Sequence, residues 1–306
     1  LEHLKTHPSI EYMYGDLSDA EAIEKATRGV DVIYHSAARV KAIGDRTEFY
    51  NDNFLATKYL VDSAKANGVK RFVFVSSPSI FFEFADQIDI DSSYPYPREY
   101  INLYSETKAL AEKYVLEANS PEFIACSLRP RAIWGPRDKT GYLPKVVAGM
   151  MKGKFPDFSG GKTVLATICH VYNAADACVL AARSDKVGGK AYFITDDEKV
   201  DVWGFFRKVG SKLNLKPIEK QMNPKILMFF GWVFDFIWKI PVIARSYDLP
   251  ISRYAVGLMI YTSTYDISAA KRDFGYAPKM KNEAGLEELK SWIADIGRLE
   301  SYVAHV

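Results

Sequence analysis

Residues 50–77 read YNDNFLATKYLVDSAKANGVKRFVFVSS, and this stretch decides the fold. Its first part places apolar side chains at helical spacing, namely Phe54, Leu55, Tyr59, Leu60, Val61 and Ala64. Gly68 then ends the helix, and the β-branched and aromatic run at 71–75 is typical of a buried strand. The stretch therefore predicts a helix that crosses over to a strand of a parallel sheet.

The same pattern of short strands and amphipathic helices continues on both sides of this stretch. The predicted strands are 10–14, 30–34, 123–128 and 190–194, and the predicted helices are 19–28 and about 103–118. Ser18 and Glu21 have the spacing of a capping box at the start of the first helix, and Gly29 follows its end. Alternating strands and crossover helices predict an α/β fold, a doubly wound parallel sheet covered on both faces.

The pattern changes after Pro130, where prolines and paired glycines separate shorter elements. We expect a boundary near residue 140, with a sheet region at 1–140 and a smaller, mostly helical cap region at 141–306. The strand at 190–194 is expected to return to the sheet of the first region, so the two regions interleave in sequence.

Composition and charge exclude several classes of protein. The 40 basic and 38 acidic residues give a net charge of +2 and are interspersed, which argues against a nucleic-acid partner. Cys126, Cys169 and Cys178 lie in apolar stretches, so we expect buried thiols in a reducing, cytoplasmic compartment. The five histidines are scattered, and no metal site is expected.

The most apolar stretch is 224–243, PKILMFFGWVFDFIWKIPVI. Lys225, Asp235 and Lys239 interrupt it before it reaches the roughly 18 uncharged residues of a membrane-spanning helix. We interpret it as a packed helix of the cap. The alternative is an interfacial helix that contacts a membrane surface peripherally.

Ser77, Tyr104 and Lys108 form the combination with the clearest chemistry. Tyr104 and Lys108 are four residues apart on a predicted helix, so their side chains share one face. A nearby ammonium favours the phenolate of a tyrosine and makes it a workable general acid or base. Ser77 follows the strand at 71–75, where open parallel sheets bind ligands. Tyrosine and lysine at this spacing are otherwise more often a packed ring beside a solvated lysine.

This combination, with Asn53, resembles the extended short-chain dehydrogenases and reductases over residues 10 to about 292. The resemblance implies a Rossmann-like fold and an NAD or NADP cofactor, with NAD favoured. It also implies that Tyr104 moves the proton while Lys108 lowers its pKa and holds the ribose. Ser77 would orient the substrate oxygen, and Asn53 would support the relay. An exposed amide at a helix start is the alternative for Asn53.

The resemblance also assigns residues to the cofactor. Asp16 and Leu17 resemble the segment that contacts the adenine, and the alternative is a turn before a capped helix. Ala37 and Ala38 resemble the strand end that lets the backbone approach the dinucleotide, and close packing of strand and helix is the alternative.

LRPRAIWGPRD at 128–138 resembles the segment that passes the nicotinamide. The side chains that would line it are Arg129, Pro130 and Ile133, together with Tyr104 and Lys108 from the catalytic helix. Residues 1–140 would then be the dinucleotide-binding region and 141–306 the substrate-binding cap.

Within this class, residues 192–209 and 262–280 resemble the 3β-hydroxysteroid and sterol 4α-carboxylate 3-dehydrogenases. This implies interconversion of a secondary alcohol and a ketone on a hydrophobic small molecule, and it is compatible with a homodimer. Two alternatives are a nucleotide-sugar epimerase or dehydratase, and a catalytically silent, cofactor-sensing protein of the same fold.

The phosphate-binding G-x-x-G-x-x-G loop of this class has no counterpart between residues 1 and 306. The resemblance implies that the loop and its β-α-β unit precede Leu1, and we interpret the sequence as an N-terminally truncated record. We therefore expect the strand at 10–14 to lack its inner neighbour, and the 306 residues alone to bind the dinucleotide weakly.

Overall fold

The computed structural model describes residues 7–41, 44–139, 141–237 and 252–305. The strands are β1 Val32–His35, β2 Arg71–Val75, β3 Gln87–Ile90, β4 Ile124–Pro130, β5 Ile133–Trp134, β6 Leu165–Thr167, β7 Cys169–His170, β8 Ala191–Ile194, β9 Lys199–Asp201 and β10 Ser263–Tyr265. The α-helices are Ala20–Thr27, Arg46–Phe49, Ala56–Ala66, Leu103–Glu117, Tyr142–Met151, Val171–Ala182, Val202–Lys212, Pro224–Ile237, Arg253–Ile260, Ser268–Phe274, Asn282–Asp295 and Leu299–Tyr302.

The main sheet is parallel and has the strand order β1-β2-β4-β8. Its registers place Val32 opposite Arg71, Arg71 opposite Ile124, and Ser127 opposite Ala191. The chain returns to this sheet with β8 after leaving it at the end of β4. This α/β architecture confirms the predicted fold class, and the carboxyl ends of neighbouring strands meet at one edge.

A second sheet combines segments that are far apart in the sequence. Its order is β3-β10-β6-β9, with β10 parallel to both β3 and β6, and β9 antiparallel to β6. Strand β3 comes from the first half of the chain, whereas β10 lies close to its end. The division near residue 140 stays a prediction, because the two halves interleave in both directions.

The predicted strand at 10–14 is wrong, since these residues form no strand. Met13 and Tyr14 are exposed by 41% and 84%, and no described strand pairs with the outer edge of β1. The apolar pattern is correct for a strand, but a strand needs a neighbour for its backbone hydrogen bonds.

The cap of the following helix also differs from the prediction. Asp19, not Ser18, accepts hydrogen bonds from the first turn, from the backbone amides of Glu21 at 3.0 Å and Ala22 at 3.3 Å. The hydroxyl of Ser18 instead donates to Asp16 at 2.7 Å. Ser18 and Asp19 are both good N-cap residues. Because Ser18 is engaged in the turn with Asp16, the helix begins one residue later than predicted.

The helix predicted at 50–67 begins as a wider turn. Residues Tyr50–Leu55 form a π-helical segment, and Ala56–Ala66 continues as an α-helix that ends before Gly68 at φ +72°. Single π turns inside helices are frequent at functional sites. Here the segment carries Asn53.

The helix Pro224–Ile237 packs by one face only, where Leu227 and Met228 contact the neighbouring apolar core. Its Gly231 lies against the backbone of Arg253, and Asp235 pairs with the Arg253 guanidinium at 3.0 Å. The opposite face is exposed by 48–66% at Phe229, Phe230, Trp232 and Phe236. Residues 238–243 of the predicted stretch, including Trp238, lie outside the described residues. Among the described helices, none is long and apolar enough to cross a membrane.

Candidate active site

The candidate site lies where β2 and β4 end side by side. Val75 is opposite Leu128, and the backbone amide of Ser76 donates to the Leu128 carbonyl at 2.7 Å. Ser77 follows and caps the short 3-10 turn Pro78–Phe81, because its hydroxyl accepts the amide of Ser79 at 3.2 Å. The sequence thus fixes the Ser77 side chain at the carboxyl edge of the sheet.

The helix Leu103–Glu117 brings Tyr104 to the same edge. Asn102 caps it by accepting the amide of Ser105 at 2.8 Å, and the Ser105 hydroxyl donates to the Ser79 carbonyl at 2.8 Å. These bonds tie the helix start to the turn after Ser77. Burial raises the pKa of the Tyr104 phenol, and a hydrogen bond from the Ser77 side chain opposes this rise. The two side chains therefore interact, and the phenol is protonated at neutral pH.

Lys108 lies one helical turn further on and is almost fully buried. Its Nζ donates to the Val75 carbonyl at 2.7 Å and lies 3.9 Å from the centre of the Phe74 ring. Burial lowers the pKa of the Lys108 ammonium to about 7, although Glu112 raises it. The neighbouring His35 stays neutral, because burial and the Lys108 charge lower its pKa to about 3.

This environment predicts a pH-dependent stability. The folded-state pKa of Lys108 lies below that of an unfolded lysine, so the buried ammonium destabilises the fold. This destabilisation is fully present below about pH 7, and it decreases as the pH rises and Lys108 loses its proton. Relative to Lys108→Met, the wild type should gain up to about 1.4 kcal/mol of unfolding free energy per pH unit between about pH 7 and 10. Denaturant unfolding of both proteins across that range measures this gain.

The matched control is Lys70→Met, which removes an exposed lysine next to β2. The free energy of unfolding of this variant should change with pH in parallel with that of the wild type over the same range. A constant difference between Lys108→Met and the wild type would contradict the buried charge.

Asn53 is buried, so the exposed-amide interpretation is wrong. Its Oδ1 accepts the backbone amide of Arg39 at 2.7 Å, and its Nδ2 donates to the Arg39 carbonyl at 3.2 Å and to Thr107 Oγ1 at 3.0 Å. Asn53 therefore joins the loop after β1 to the helix that carries Tyr104 and Lys108. It holds these two elements in register.

A buried ion pair between Glu112 and Arg129 lies next to the site, and the sequence pattern did not predict it. Glu112 accepts hydrogen bonds from Arg129 at 2.7–3.1 Å, from Ser127 at 2.6 Å and from Tyr96 at 2.6 Å. Arg129 is only 2% exposed, so it is not free to line a nicotinamide as the resemblance implied. Glu112 is one turn after Lys108, which is the signal that could have revealed it.

The proposed adenine and strand-end residues surround the edge of β1. Asp16 is exposed and accepts the amide and hydroxyl of Ser18, and these bonds lower the pKa of its carboxyl. Leu17 packs on the core beneath it. Ala37 is exposed and Ala38 is half-buried beyond the end of β1, so their small side chains leave the backbone accessible.

The remaining cofactor residues lie at the end of β4. Pro130 ends that strand, and Ile133 is 37% exposed on the short strand beside it. On the neighbouring strand, just after the end of β2, the Ser76 hydroxyl is buried without a hydrogen-bond partner among the described residues. An unsatisfied buried hydroxyl beside exposed small residues fits a polar ligand that lies along this edge.

Two tyrosines from the cap region also reach this site, and no motif predicted them. Burial raises the pKa of the Tyr254 phenol, and the nearby charge of Tyr104 raises it further. Tyr265, at the end of β10, is 5% exposed and lies 4.5 Å from the Phe193 ring, centre to centre. Tyr254, which is 150 residues after Tyr104 in the sequence, therefore lies near it in the fold.

Sequence and structure comparisons identify proteins that are similar to this chain. The pattern of the 3-beta hydroxysteroid dehydrogenase/isomerase family matches residues 1–223. The 2-alkyl-3-oxoalkanoate reductase of Shewanella oneidensis is 30% identical in an alignment of 289 positions that covers 90% of this chain and 74% of that protein. The 3-beta-hydroxysteroid dehydrogenase of Mycolicibacterium neoaurum is 30% identical in an alignment of 310 positions that covers 96% of this chain and 82% of that protein.

A solved structure shares the fold. The DesIV dTDP-glucose 4,6-dehydratase of Streptomyces venezuelae, a double mutant with NAD and DAU bound, superposes with a TM-score of 0.74 at 18% identity. The superposition covers 99% of this chain and 84% of that one. At this level of identity the likeness is one of architecture.

Proposed function

Because this chain belongs to the 3-beta hydroxysteroid dehydrogenase/isomerase family, we propose that it is an NAD-dependent oxidoreductase that interconverts a secondary alcohol and a ketone on a hydrophobic substrate. The observation that carries the proposal is the contact between the Ser77 and Tyr104 side chains at the carboxyl edge of the sheet. Lys108 lies one turn further along the same helix and is the third residue of the Ser77, Tyr104 and Lys108 combination.

In the oxidation direction, the phenolate form of Tyr104 would accept the proton of the substrate hydroxyl as the C–H bond of the carbinol carbon breaks to leave a ketone. A bound NAD would supply the acceptor for the hydride that leaves this carbon. In the reverse direction, Tyr104 returns its proton to the ketone oxygen while Ser77 donates a hydrogen bond to the same oxygen. The raised pKa of the buried phenol supports this second role, because the group starts protonated.

The cofactor would lie across the ends of β1, β2 and β4. We assign Asp16 and Leu17 to the adenine end, and Ala37 and Ala38 to the backbone that the dinucleotide approaches. The remaining contacts, at the ribose and nicotinamide, we assign to Lys108, Tyr104, Pro130 and Ile133. A charged ammonium at Lys108 would donate to ribose hydroxyls, and a bound anionic dinucleotide would favour that charge.

The exposed aromatic face of Pro224–Ile237 suits hydrophobic contact. Phe229, Trp232 and Phe236 leave a row of rings in solvent, which a soluble surface rarely shows unless it binds something. We assign this row to peripheral contact with a membrane surface from which a hydrophobic substrate is taken up.

A substrate panel tests the proposed function. The protein as its gene encodes it should oxidise 3β-hydroxysterols or long-chain 3-hydroxy acids with NAD, because the family and the apolar cap favour them. Nicotinamide absorbance measures this, and chromatography follows dTDP-glucose and UDP-glucose in parallel. Conversion of a sugar nucleotide alone would reject the proposal in favour of an epimerase or dehydratase. Binding of NAD without conversion of any compound would favour a silent cofactor sensor.

A further inference from the structure

A groove with two exposed lysines lies where the helix Pro224–Ile237 begins, and its volume is about 450 Å³. The residues that line it are Lys154, Pro156, Lys220, Gln221 and Met222. Two backbone hydrogen bonds join its walls, from the Asp157 amide to the Lys220 carbonyl at 2.7 Å and from the Met222 amide to the Asp157 carbonyl at 2.8 Å. The main chain therefore fixes the groove beside the first turn of the helix.

Two further lysines extend the positive charge around this groove. Lys216 lies beside Gly153, because a Cβ at that glycine would meet the Lys216 Cδ at 3.7 Å. Lys225 lies in the first turn of the helix, where the Asn223 side chain accepts its backbone amide at 2.9 Å. The four exposed lysines, which we call the basic rim, are Lys154, Lys216, Lys220 and Lys225. Within the ranges that the structure describes, no ion pair joins any of them to a carboxylate.

The acidic residues near the basic rim leave its charge in place. Asp157 is buried and pairs with Arg207. Asp235, the only acidic residue of the helix Pro224–Ile237, pairs with Arg253 at 3.0 Å on the face opposite the exposed rings. Glu219 is exposed beside Lys220, but the four lysines outnumber it. The surface at the start of the helix is therefore positively charged.

The basic rim is continuous with the exposed rings of the helix. The residues at positions i, i+4, i+7 and i+11 share one face of a helix, and here they are Lys225, Phe229, Trp232 and Phe236. The ring centres of Phe229 and Trp232 are 6.3 Å apart, and those of Trp232 and Phe236 are 6.5 Å apart, with ring planes within 28° of parallel. We call these three rings the aromatic row. It runs from the lysine at the helix start along the solvent-exposed face.

This surface is attached close to the candidate active site. On the inner face of the helix, a Cβ at Gly231 would meet the backbone nitrogen of Arg253 at 2.9 Å. The next residue, Tyr254, packs its ring against Phe82, with 5.5 Å between the ring centres. Phe82 directly follows the turn that Ser77 caps. A bilayer at the aromatic row would therefore lie one helix away from the site.

The combination of rings and lysines is complementary to a bilayer that contains anionic phospholipids. Aromatic rings bind at the level between the headgroups and the acyl chains, and lysines near such a surface are attracted to its negative charge. A nucleic acid would bind the lysines but leave the rings in water. An apolar protein face would cover the rings but leave the lysine charges without partners. An anionic membrane surface satisfies both groups at once.

We propose that the basic rim binds the phosphate groups of anionic phospholipids while the aromatic row enters the membrane interface. The groove between Lys154 and Lys220 would take up one headgroup, since its volume lies in the range of small-molecule sites. The inference rests on the membrane contact in the proposed function and names the lipid class that this contact selects. It does not depend on the reaction assigned to Tyr104.

Vesicle flotation of the protein as its gene encodes it tests this proposal. Phosphatidylcholine vesicles are compared with vesicles that also contain phosphatidylglycerol, at low and at high salt. We expect tight binding only when phosphatidylglycerol is present, because each lysine near an anionic surface strengthens binding by about 5-fold. The preference should be lost at high salt, since salt screens the attraction between exposed charges.

Two double variants with the same loss of charge locate the contact. Lys154→Gln with Lys220→Gln should bind anionic vesicles about 10- to 30-fold more weakly than the wild type. The matched control is Lys70→Gln with Lys186→Gln, which changes two exposed lysines that precede β2 and β8. It should bind within about 3-fold of the wild type, because these charges lie away from the basic rim. All four side chains are exposed, so both variants should keep the wild-type thermal midpoint.

Phe229→Ser with Trp232→Ser tests the aromatic row. This variant should bind neutral and anionic vesicles more weakly, because it removes the apolar contact with the interface. If no vesicle binds the wild type, the lipid site and the membrane contact are both rejected. Dissociation of a wild-type dimer by this variant, measured by analytical ultracentrifugation, would then assign the row to a second copy of the chain.

The remaining outcomes separate the lipid site from the proposed reaction. Equal binding to neutral and anionic vesicles, or equal losses in the two lysine variants, would reject the headgroup site and leave an apolar membrane contact. Oxidation of a detergent-dispersed sterol with NAD is assayed in parallel without vesicles. If turnover is absent but binding depends on Lys154 and Lys220, the proposed reaction fails and the lipid site stands.

Discussion

Tyr104→Phe is expected to lower kcat by about 1,000-fold or more, because the variant loses the only group that we assign to proton transfer while keeping the ring that fills the site. Steady-state kinetics on the best substrate of the panel measure the loss. The affinity for NAD, followed by fluorescence titration, should change little. Since the phenol is buried and its pKa is raised, removal of the hydroxyl should leave the thermal midpoint close to that of the wild type.

Two matched variants sharpen this result. Tyr59→Phe removes the hydroxyl of a tyrosine that is 42% exposed on the helix Ala56–Ala66, and it should retain full activity. Ser77→Ala should have a smaller effect than Tyr104→Phe, about 10- to 100-fold, because it removes a hydrogen bond and not the proton. A Tyr104→Phe enzyme with near wild-type kcat would disprove the assigned role of the phenol.

Arg129→Met is expected to lower the free energy of unfolding by about 3–5 kcal/mol, because it leaves the Glu112 carboxylate buried without its counterion. In the wild type, burial raises the pKa of this carboxyl, but Arg129, Ser127 and Tyr96 together hold it below the ordinary range. Urea unfolding at neutral pH measures the loss. It should shrink as the pH is lowered, since a carboxyl without Arg129 can bind a proton instead.

The double variant Arg129→Met with Glu112→Leu provides the control. Removing both charges replaces the ion pair by apolar side chains, and it should recover most of the lost stability. Additive losses in the two single variants and the double variant would show that the pair does not act as a unit. This experiment concerns the support of the site and leaves the assignment of Tyr104 untouched.

The sequence predicted the local elements well where a helix and a strand follow each other. The strand at 71–75 has the predicted bounds, and the helix predicted at about 103–118 is Leu103–Glu117. In these segments the local residue pattern agrees with the element that forms. Ser77 therefore follows β2 at the carboxyl edge of the sheet, as its place in the sequence predicted, and its role with Tyr104 and Lys108 stays a prediction.

What the sequence did not predict depends on distant partners. The pattern at 10–14 is that of a strand, but these residues form no strand in the structure. The aromatic run within Pro224–Ile237 predicts burial, yet only Gly231 is buried in the described helix. Periodicity reports which side chains would suit a covered face, and it does not report whether another element covers that face.

The same limit applies to the candidate site. No motif assigned Tyr254 or Tyr265 to the site, and Tyr265 reaches its position because β10 lies between β3 and β6. These residues are far from Tyr104 in the sequence, so the sequence alone did not show that the fold brings them near it. Asn53 was found by its resemblance, whereas its burial and its bonds to Arg39 and Thr107 required the structure.

The strand order of the second sheet also bears on how the protein is made. Strand β3, residues 87–90, emerges from the ribosome well before its partner β10, residues 263–265. Contacts that close such long loops form slowly, because the entropy of loop closure is lost before the strands gain their bonds. The main sheet can therefore assemble during translation before β10 is available, whereas the second sheet is completed only after β10 has been synthesised.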